Sequence, residues 1–310
     1  MRNSMNNNKD VYRPGKTLLL GNGINRAFSK NSWDDMLKSV ATRNDFEPGK
    51  MNAPMPLRAV ILTDDKIDQA AKNLKEMFCG EITDLEHGDL LRRLLSAGFD
   101  DVLTTNYSYE LETAAKGAER LSEGQIAGMM RHTEGNRAEA RYLLHTFNEV
   151  ACEGRNNRIW HVHGESRKPD SMLLGHYWYG NLTARIAAEV KSNGNRYREL
   201  EKKNAPLPRN SWIDGFLLDD LFILGFGFDL SEIDLWWLLN RRKREKARKG
   251  KIVFYDPRID LEENRERKAL LELMDVKTVS FAGYGIEKED YQEFYRRAVR
   301  DICDVVKERG

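Results

Sequence analysis

An asparagine and a histidine far apart in the chain, Asn106 and His163, each close an apolar run: Leu103-Thr104-Thr105-Asn106, and Ile159-Trp160-His161-Val162-His163 before Gly164. An asparagine side chain donates and accepts at once, which suits a ribose hydroxyl or an attacking water. A histidine at the carboxyl end of a strand, with its near-neutral ordinary pKa, suits a general base. A third run, Lys16-Thr17-Leu18-Leu19-Leu20, enters Gly21-Asn22-Gly23-Ile24-Asn25 and then helix-capable residues. Such a turn lets the backbone approach a phosphate, and the following helix offers free amides and a positive dipole end. Leu224-Gly225-Phe226-Gly227-Phe228-Asp229 repeats the pattern ahead of the helix-like Ser231 to Trp237. Tyr255-Asp256-Pro257 ends a further strand, where a carboxylate at Asp256 could accept both hydroxyls of a ribose diol. The set outlines a nucleotide cleft.

Each segment also has a plainer reading. Gly21 and Gly23 form an ordinary strand-to-helix turn as readily as a phosphate cradle. An ordinary dinucleotide fingerprint wants a small residue where Arg26 stands and an acidic residue closing a second strand, where this chain has the Trp33 segment. A Rossmann dehydrogenase is therefore disfavoured. Asn106 could simply cap the turn at Tyr107-Ser108-Tyr109, and Asp256 could end a strand in a plain turn. His161 and His163, two apart on a presumed strand and hence on one face, allow three readings: metal ligands, hydrogen-bonded core residues, or a general base at His163 beside a Gly164 that admits substrate. No Cys, His or carboxylate has an evident third-ligand spacing, so no metal is expected.

The elements needed to position these residues follow the rhythm of a doubly wound α/β sheet. Strands are expected near Lys16–Leu20, Phe99–Thr105, Ile159–His163, Asp220–Leu224, Lys251–Tyr255 and Val276–Ser280. Ser32 is expected to cap a helix from Trp33 with acidic Asp34 and Asp35 in its first turn. Arg43 to Leu57, with Pro48, Pro54 and Pro56, reads as a loop. Ile67, Ala70, Ala71, Leu74, Met77 and Phe78 mark a helix face closed by Gly80, and Leu90, Leu91, Leu94 and Leu95 another that ends at Gly98. Residues 110–155 read as a helical insertion rather than sheet, despite a polar run from Arg131 to Arg137. Lys191 to Arg209 is a polar separator, and Tyr291 to Val306 is a final helix. The organisation expected is a flexible tail over 1–15 and one Rossmann-like domain over 16–310, a parallel sheet with helices on both faces and helical insertions at about 44–98, 110–155 and 181–215.

Bulk composition narrows the classes little further. With 50 Lys plus Arg against 49 Asp plus Glu, net charge argues neither for nor against nucleic acid. No apolar run approaches the roughly 20 residues of a membrane helix. The Asn-rich start lacks the apolar centre of a secretory signal. Three isolated cysteines, Cys79, Cys152 and Cys303, fit a reducing cytoplasm. Arg241 to Lys251 holds eight Lys or Arg among eleven residues and no aromatic residue to stack on bases, which reads as a solvated helix face, with nucleic-acid contact left open.

Taken in order, these segments resemble the sirtuin-like (silent information regulator) superfamily, above all its bacterial branch of NAD-consuming immune effectors. Gly21-Asn22-Gly23-Ile24-Asn25 stands where sirtuins carry Gly-Ala-Gly-Ile-Ser on the NAD diphosphate, and Trp33 where this branch often opens a helix with Trp. Thr104-Thr105-Asn106-Tyr107 is similar to the Thr-Thr-Asn motif whose Asn touches the nicotinamide ribose and catalytic water. His163-Gly164 is similar to the catalytic His-Gly pair, and Gly225-Phe226-Gly227 to the glycine turn on the adenosine side. The resemblance spans about Thr17 to Gly285. It implies NAD+ as substrate rather than retained cofactor, with Asn106 and His163 catalytic and Gly21, Asn22, Gly23, Asn25, Thr105, Ser108, Gly225, Gly227 and Asp256 around the dinucleotide. Deacylating sirtuins carry a zinc ribbon of two Cys-x-x-Cys pairs, which three scattered cysteines cannot build, so no ribbon and no deacylase activity are expected. Ser108 stands where many relatives have an Asp on the nicotinamide amide. The implied activity is NAD+ glycohydrolysis to nicotinamide and ADP-ribose, in the cytoplasm, depleting NAD+ during phage infection. No appended sensor is evident, so a homo-oligomer or a separate activator chain is expected; HerA-like ATPases and Argonautes serve relatives. Two alternatives stand beside it: a non-catalytic NAD+ or ADP-ribose sensor that gates a partner, and transfer of ADP-ribose to a macromolecule.

Overall fold

The computed structural model describes residues 14–29, 33–43, 45–75, 81–136, 138–197, 209–245, 249–281 and 288–308. The expected helix cap at Ser32, the helix-closing Met77, Phe78 and Gly80, Cys79, Arg137, most of the 191–209 separator's end and residues 246–248 of the basic run lie outside the described residues.

Eight strands form one sheet: β1 (Lys16–Leu20), β2 (Asp101–Thr104), β3 (Met130–His132), β4 (Thr146–Cys152), β5 (Arg155–His161), β6 (Asp220–Leu224), β7 (Ile252–Tyr255) and β8 (Val276–Val279), in the order β3-β4-β5-β2-β1-β6-β7-β8. From β5 to β8 every neighbouring pair is parallel. Numbered along the chain, those six strands lie 3-2-1-4-5-6, the doubly wound order whose reversal between β1 and β6 opens a ligand crevice. The central strands β1, β6 and β7 read as apolar runs because both faces are covered. In β1, Leu18 and Leu20 enter one core and Leu19 the other, all three essentially without exposure. On the first face pack helices Leu85–Ser96 and Lys288–Glu308, which contribute Leu91, Leu94, Phe294, Ala298 and Ile302. On the second pack His176–Ser192, Trp212–Leu218 and Ile233–Arg244, through Leu182, Ile186, Phe216, Leu235 and Leu238. The α/β, Rossmann-like expectation is met.

Three local expectations are not. The 110–155 segment is helical only over Glu110–Ala115 and Glu123–Met129; it then supplies β3 and β4, which extend the sheet antiparallel beyond β5. Its β4 alternates buried and part-exposed residues, but two of the buried ones, Thr146 and Asn148, are polar and mask the period. Within Arg43 to Leu57, a 3-10 turn at Pro48–Lys50 and a helix at Met55–Leu62 replace loop. Pro56 sits in the helix's first turn, where a missing N–H costs nothing. Helix Leu85–Ser96, assigned to an insertion, covers the sheet face itself, whereas Trp33–Val40, Met55–Leu62 and Ile67–Leu74 build a separate cluster around Met36, Leu37, Leu62 and Leu74. That cluster includes Tyr107, so it buttresses one side of the cleft.

Candidate functional site

Strand register aligns the carboxyl ends of the sheet. Leu20 stands opposite Thr104 and Leu224, Thr104 opposite His161, and Leu224 opposite Tyr255. The loops that leave these positions surround a cavity of about 910 Å³. That volume lies toward the upper end of the ~300–1,000 Å³ range of small-molecule and cofactor sites.

At the switch point the two glycine loops close on each other. Gly21 N–H donates to Leu224 O at 2.9 Å, and Gly23 N–H to Gly225 O at 2.7 Å. A Cβ on Gly21 would overlap the Gly225 carbonyl and Phe226 Cα, and Gly225 itself holds a φ of +69°. The first glycine therefore serves loop-to-loop contact, and neither it nor Gly23 has a spare amide for phosphate. Gly21 does not line the cavity; Asn22, Gly23, Arg26, Gly225 and Gly227 do. Asn25, expected on the ligand, turns into the core, where its Oδ1 meets His87 Nε2 at 3.0 Å and it is 4% exposed. The side chain of Arg26, the residue that breaks the dinucleotide fingerprint, makes no hydrogen bond or ion pair among the described residues and stands exposed on the cavity wall.

The Asn106 backbone is held from both sides. Thr104 Oγ1 accepts from Asn106 N–H at 3.1 Å while donating to Leu20 O at 3.0 Å, and His161 Nδ1 donates to Asn106 O at 2.8 Å. With the main chain so fixed, the Asn106 amide faces the cavity with no hydrogen-bond partner among the described residues. His161 is itself anchored by Glu112, at 3.0 Å from Nε2. Burial disfavours its imidazolium, but the charge and hydrogen bond of Glu112, the charge of Glu165 and the Asn106 carbonyl outweigh that and push it up to about 9. A doubly protonated ring donating to both partners follows. His161 is thus a core residue that stiffens the Asn106 loop.

His163 belongs to a different environment. Strand β5 ends at His161, so alternation does not carry on to His163, and the two rings do not share partners. His163 lines the cavity, packs edge-on against Tyr179 at 5.3 Å, and donates from Nε2 to Asp234 Oδ2 at 2.9 Å. Its Nδ1 lies 3.8 Å from Glu232 Oε2. Burial opposes protonation, yet Asp234 and Glu232 raise the His163 pKa above its ordinary value. Burial, reinforced by the charges of Asp234 and Asp229, pushes Glu232 up to about 7 against the pull of His163. Gly164 was expected to admit substrate; its φ of +93° and its missing Cβ instead accommodate the Ser171 carbonyl.

Thr105 and Ser108 line the cavity next to Asn106, although the Ser108 hydroxyl donates to Glu110. Asp256 also lines it, but its oxygens are engaged: Oδ1 accepts from Arg258 N–H at 2.8 Å and Oδ2 from Arg267 at 2.5 Å. Arg267 donates to the Gly227 carbonyl as well, tying the Gly225–Gly227 loop to Asp256 at the end of β7. The sequence-derived residues thus converge on one cavity, with Gly21 and Asn25 as the exceptions. Glu232, Asp234, Arg26 and Tyr179 were not anticipated.

His163, Glu232 and Asp234 bring ligand-type atoms within 4.8 Å of one another, from residues with no metal-binding spacing. The Nε2–Oδ2 contact is a hydrogen bond as it stands, so His163 and Asp234 form a bonded pair with the Glu232 carboxylate 3.8 Å away beside it. Of the basic run, Arg242 is 2% exposed and spends its guanidinium on the Phe216, Asp219 and Gly250 carbonyls. It is an internal clamp rather than part of a solvated face. Cys152 and Cys303 are free and buried. Among the described residues no helix is long and apolar enough to cross a membrane. Neither the models of known protein families nor the curated protein sequences contain a match to this chain.

Proposed function

We propose that this protein is an NAD+ glycohydrolase that releases nicotinamide and ADP-ribose. The observation that carries the reading is the convergence of Asn106 and His163, 57 positions apart in the chain, on one cavity at the switch point of a 3-2-1-4-5-6 sheet. NAD+ lies across the strand ends, its diphosphate beside Asn22 and the Arg26 guanidinium, and its adenosine toward Gly227, Asp256 and Arg267. Nicotinamide leaves readily because departure neutralises the pyridinium charge. The unpaired Asn106 amide holds the ribose hydroxyls or the attacking water, and His163 removes a proton from one of them. Asn106 sits on a loop locked at both ends, which supplies the preorganisation such a role needs.

The resemblance to sirtuin-like effectors supports the same substrate and adds a setting: a cytoplasmic enzyme held off until infection, then depleting NAD+. Activation by a separate chain, such as a HerA-like ATPase or an Argonaute, or by self-assembly, is consistent with that setting. One observation favours the non-catalytic sensor as second reading. Ser108 gives its hydroxyl to Glu110, leaving the presumed nicotinamide end without the acidic contact of many relatives. Nicotinamide release from NAD+ by the purified full chain, alone and with its genomic neighbours, separates the two. Release that Asn106→Ala and His163→Ala abolish supports the enzyme. Binding of NAD+ without release under every condition supports the sensor.

A further inference from the structure

We infer that Asp234 and Glu232 complete the acid–base machinery of this cavity: Asp234 is a positioning residue that holds the His163 ring in one tautomer, and Glu232 is the wall carboxylate that faces the ring's second nitrogen and takes over its proton. The inference rests on the hydrolase reading and assigns roles within the same site.

The argument starts from position. Asp234 is fully buried and does not line the cavity; it lies behind His163, on helix Ile233–Arg244, with Oδ2 at 2.9 Å from Nε2. A carboxylate there accepts Nε2–H and so leaves the lone pair on Nδ1. Its other oxygen, Oδ1, is buried with no hydrogen-bond partner among the described residues, so no competing donor draws the carboxylate away from the ring. Glu232 lines the cavity, and its Oε2 is likewise buried and unpartnered. The 3.8 Å between that oxygen and Nδ1 is too long for a direct hydrogen bond but leaves both atoms available to a hydroxyl or water between them. A purely structural ion pair would close both valences; this one leaves Nδ1 and the buried Glu232 Oε2 without a hydrogen bond, on two residues that line the cavity.

The proton balance is simple. The O–H bond of the ribose hydroxyl or water breaks, its proton joins Nδ1, and the oxygen keeps the electron pair. The imidazolium that forms is compensated by Asp234, which stays unprotonated. The proton then passes from Nδ1 to the Glu232 carboxylate and from there, at the cavity wall, to solvent as product leaves. The other ionisable groups facing this unit are Tyr179 on helix His176–Ser192, Tyr107 on the loop after β2, and Asp229 on the loop after β6; both tyrosines are pushed well above their ordinary range by burial.

The test uses the full chain with Asp234→Asn, Asp234→Glu and Glu232→Gln. Rates of nicotinamide release are measured against pH, and the His163 imidazole is followed by NMR titration, with His163→Gln to assign its signals. Asp234→Asn is expected to lower kcat roughly 100- to 10,000-fold with little change in KM, as loss of a ring-orienting carboxylate does elsewhere. Asp234→Glu is expected to recover part of that loss, and Glu232→Gln to remove one ionisation from the pH profile. A kcat within threefold of wild type and an unchanged profile in both Asp234→Asn and Glu232→Gln would overturn the inference. So would a divalent metal bound stoichiometrically by the wild type and lost in Asp234→Asn, since the three groups would then be ligands. If wild type releases no nicotinamide under any condition, the hydrolase reading fails separately. The tautomer claim is then judged by the titration: a downward shift of His163 in Asp234→Asn supports it, and an unmoved curve refutes it.

Discussion

The two ends of this sheet treat buried charge in opposite ways. At the amino-terminal end, Asp101 Oδ1 accepts from Trp160 Nε1 at 2.8 Å and pairs with Arg158 at 2.9 Å, while its Oδ2 pairs with Arg209 at 2.9 Å. Asp219 accepts from the Thr17 hydroxyl at 2.5 Å and from the same Arg209. At the carboxyl-terminal end, Glu232 and Asp234 each keep one unpartnered buried oxygen, and the Asn106 amide has no partner among the described residues. Leaving such groups open costs stability, roughly 1–3 kcal/mol for each unsatisfied polar group. The first end shows what this chain does with polarity used for cohesion. Against that standard, the Asn106 amide and the Glu232 carboxylate on the cavity wall are polarity that a ligand can complete, although Arg196, Ser211 and Trp212, which do not line the cavity, also keep unpartnered buried atoms.

The contrast can be broken in several places. The largest effect is expected where the open end is disarmed: Asn106→Ala or His163→Ala should reduce NAD+ cleavage by at least about 100-fold, with urea unfolding little changed in Asn106→Ala and weakened in His163→Ala, which strands the buried Asp234 carboxylate. Loss of folding in both variants would mean these groups are cohesive after all. Next comes the closed end. Arg209→Met leaves Asp101 and Asp219 facing each other without their shared cation, an expected loss of about 3–5 kcal/mol by chemical unfolding, with activity per folded molecule retained. A pH-dependent effect follows from His161. Its folded pKa, raised to about 9 from 6.5, makes its contribution fully present below about pH 6.5 and lost as pH rises through about 9. That loss, on the order of 3 kcal/mol, should appear as a falling urea midpoint between pH 6 and pH 9.5 and be absent in His161→Gln. Smallest is Thr17→Val, which removes one hydroxyl from a carboxylate that keeps its arginine; about 1 kcal/mol and no change in turnover are expected. A change in turnover there would show that the two ends are coupled.

The parallel half of the fold was legible because β1, β6 and β7 carry apolar runs such as Leu18-Leu19-Leu20 and Leu221 to Leu224, and helix residues such as Leu90, Leu91, Leu94 and Leu95 keep a clean period. Strand β4 was not, because Thr146 and Asn148 occupy inward positions: Asn148 is buried to reach Glu112, and a pattern based on apolarity cannot see that. The helix at Met55–Leu62 was hidden by prolines read as breakers, although one of them starts it. In the site, Asn106 and His163 stood out because each closes an apolar run just beyond a strand's carboxyl end. Glu232 and Asp234 did not, since acidic residues at a helix start have an ordinary explanation and nothing in their spacing connects them to a histidine 69 and 71 residues away. Asn25 was assigned by motif position, but position cannot tell which way a one-turn helix points its side chains.

The antiparallel extension has a dynamic corollary. With β4 on one side and β2 on the other, β5 is an interior strand rather than an edge, so the strand that ends at His161 and leads into His163 is pinned. The facing wall, from Gly225 to Glu232, is loop. Amide hydrogens of Ile159 and Trp160 should then exchange with solvent only when the whole domain opens, whereas those from Phe226 to Ser231 exchange through small local excursions. Any clamping down on a bound molecule would come from that second wall, moving against a fixed anvil.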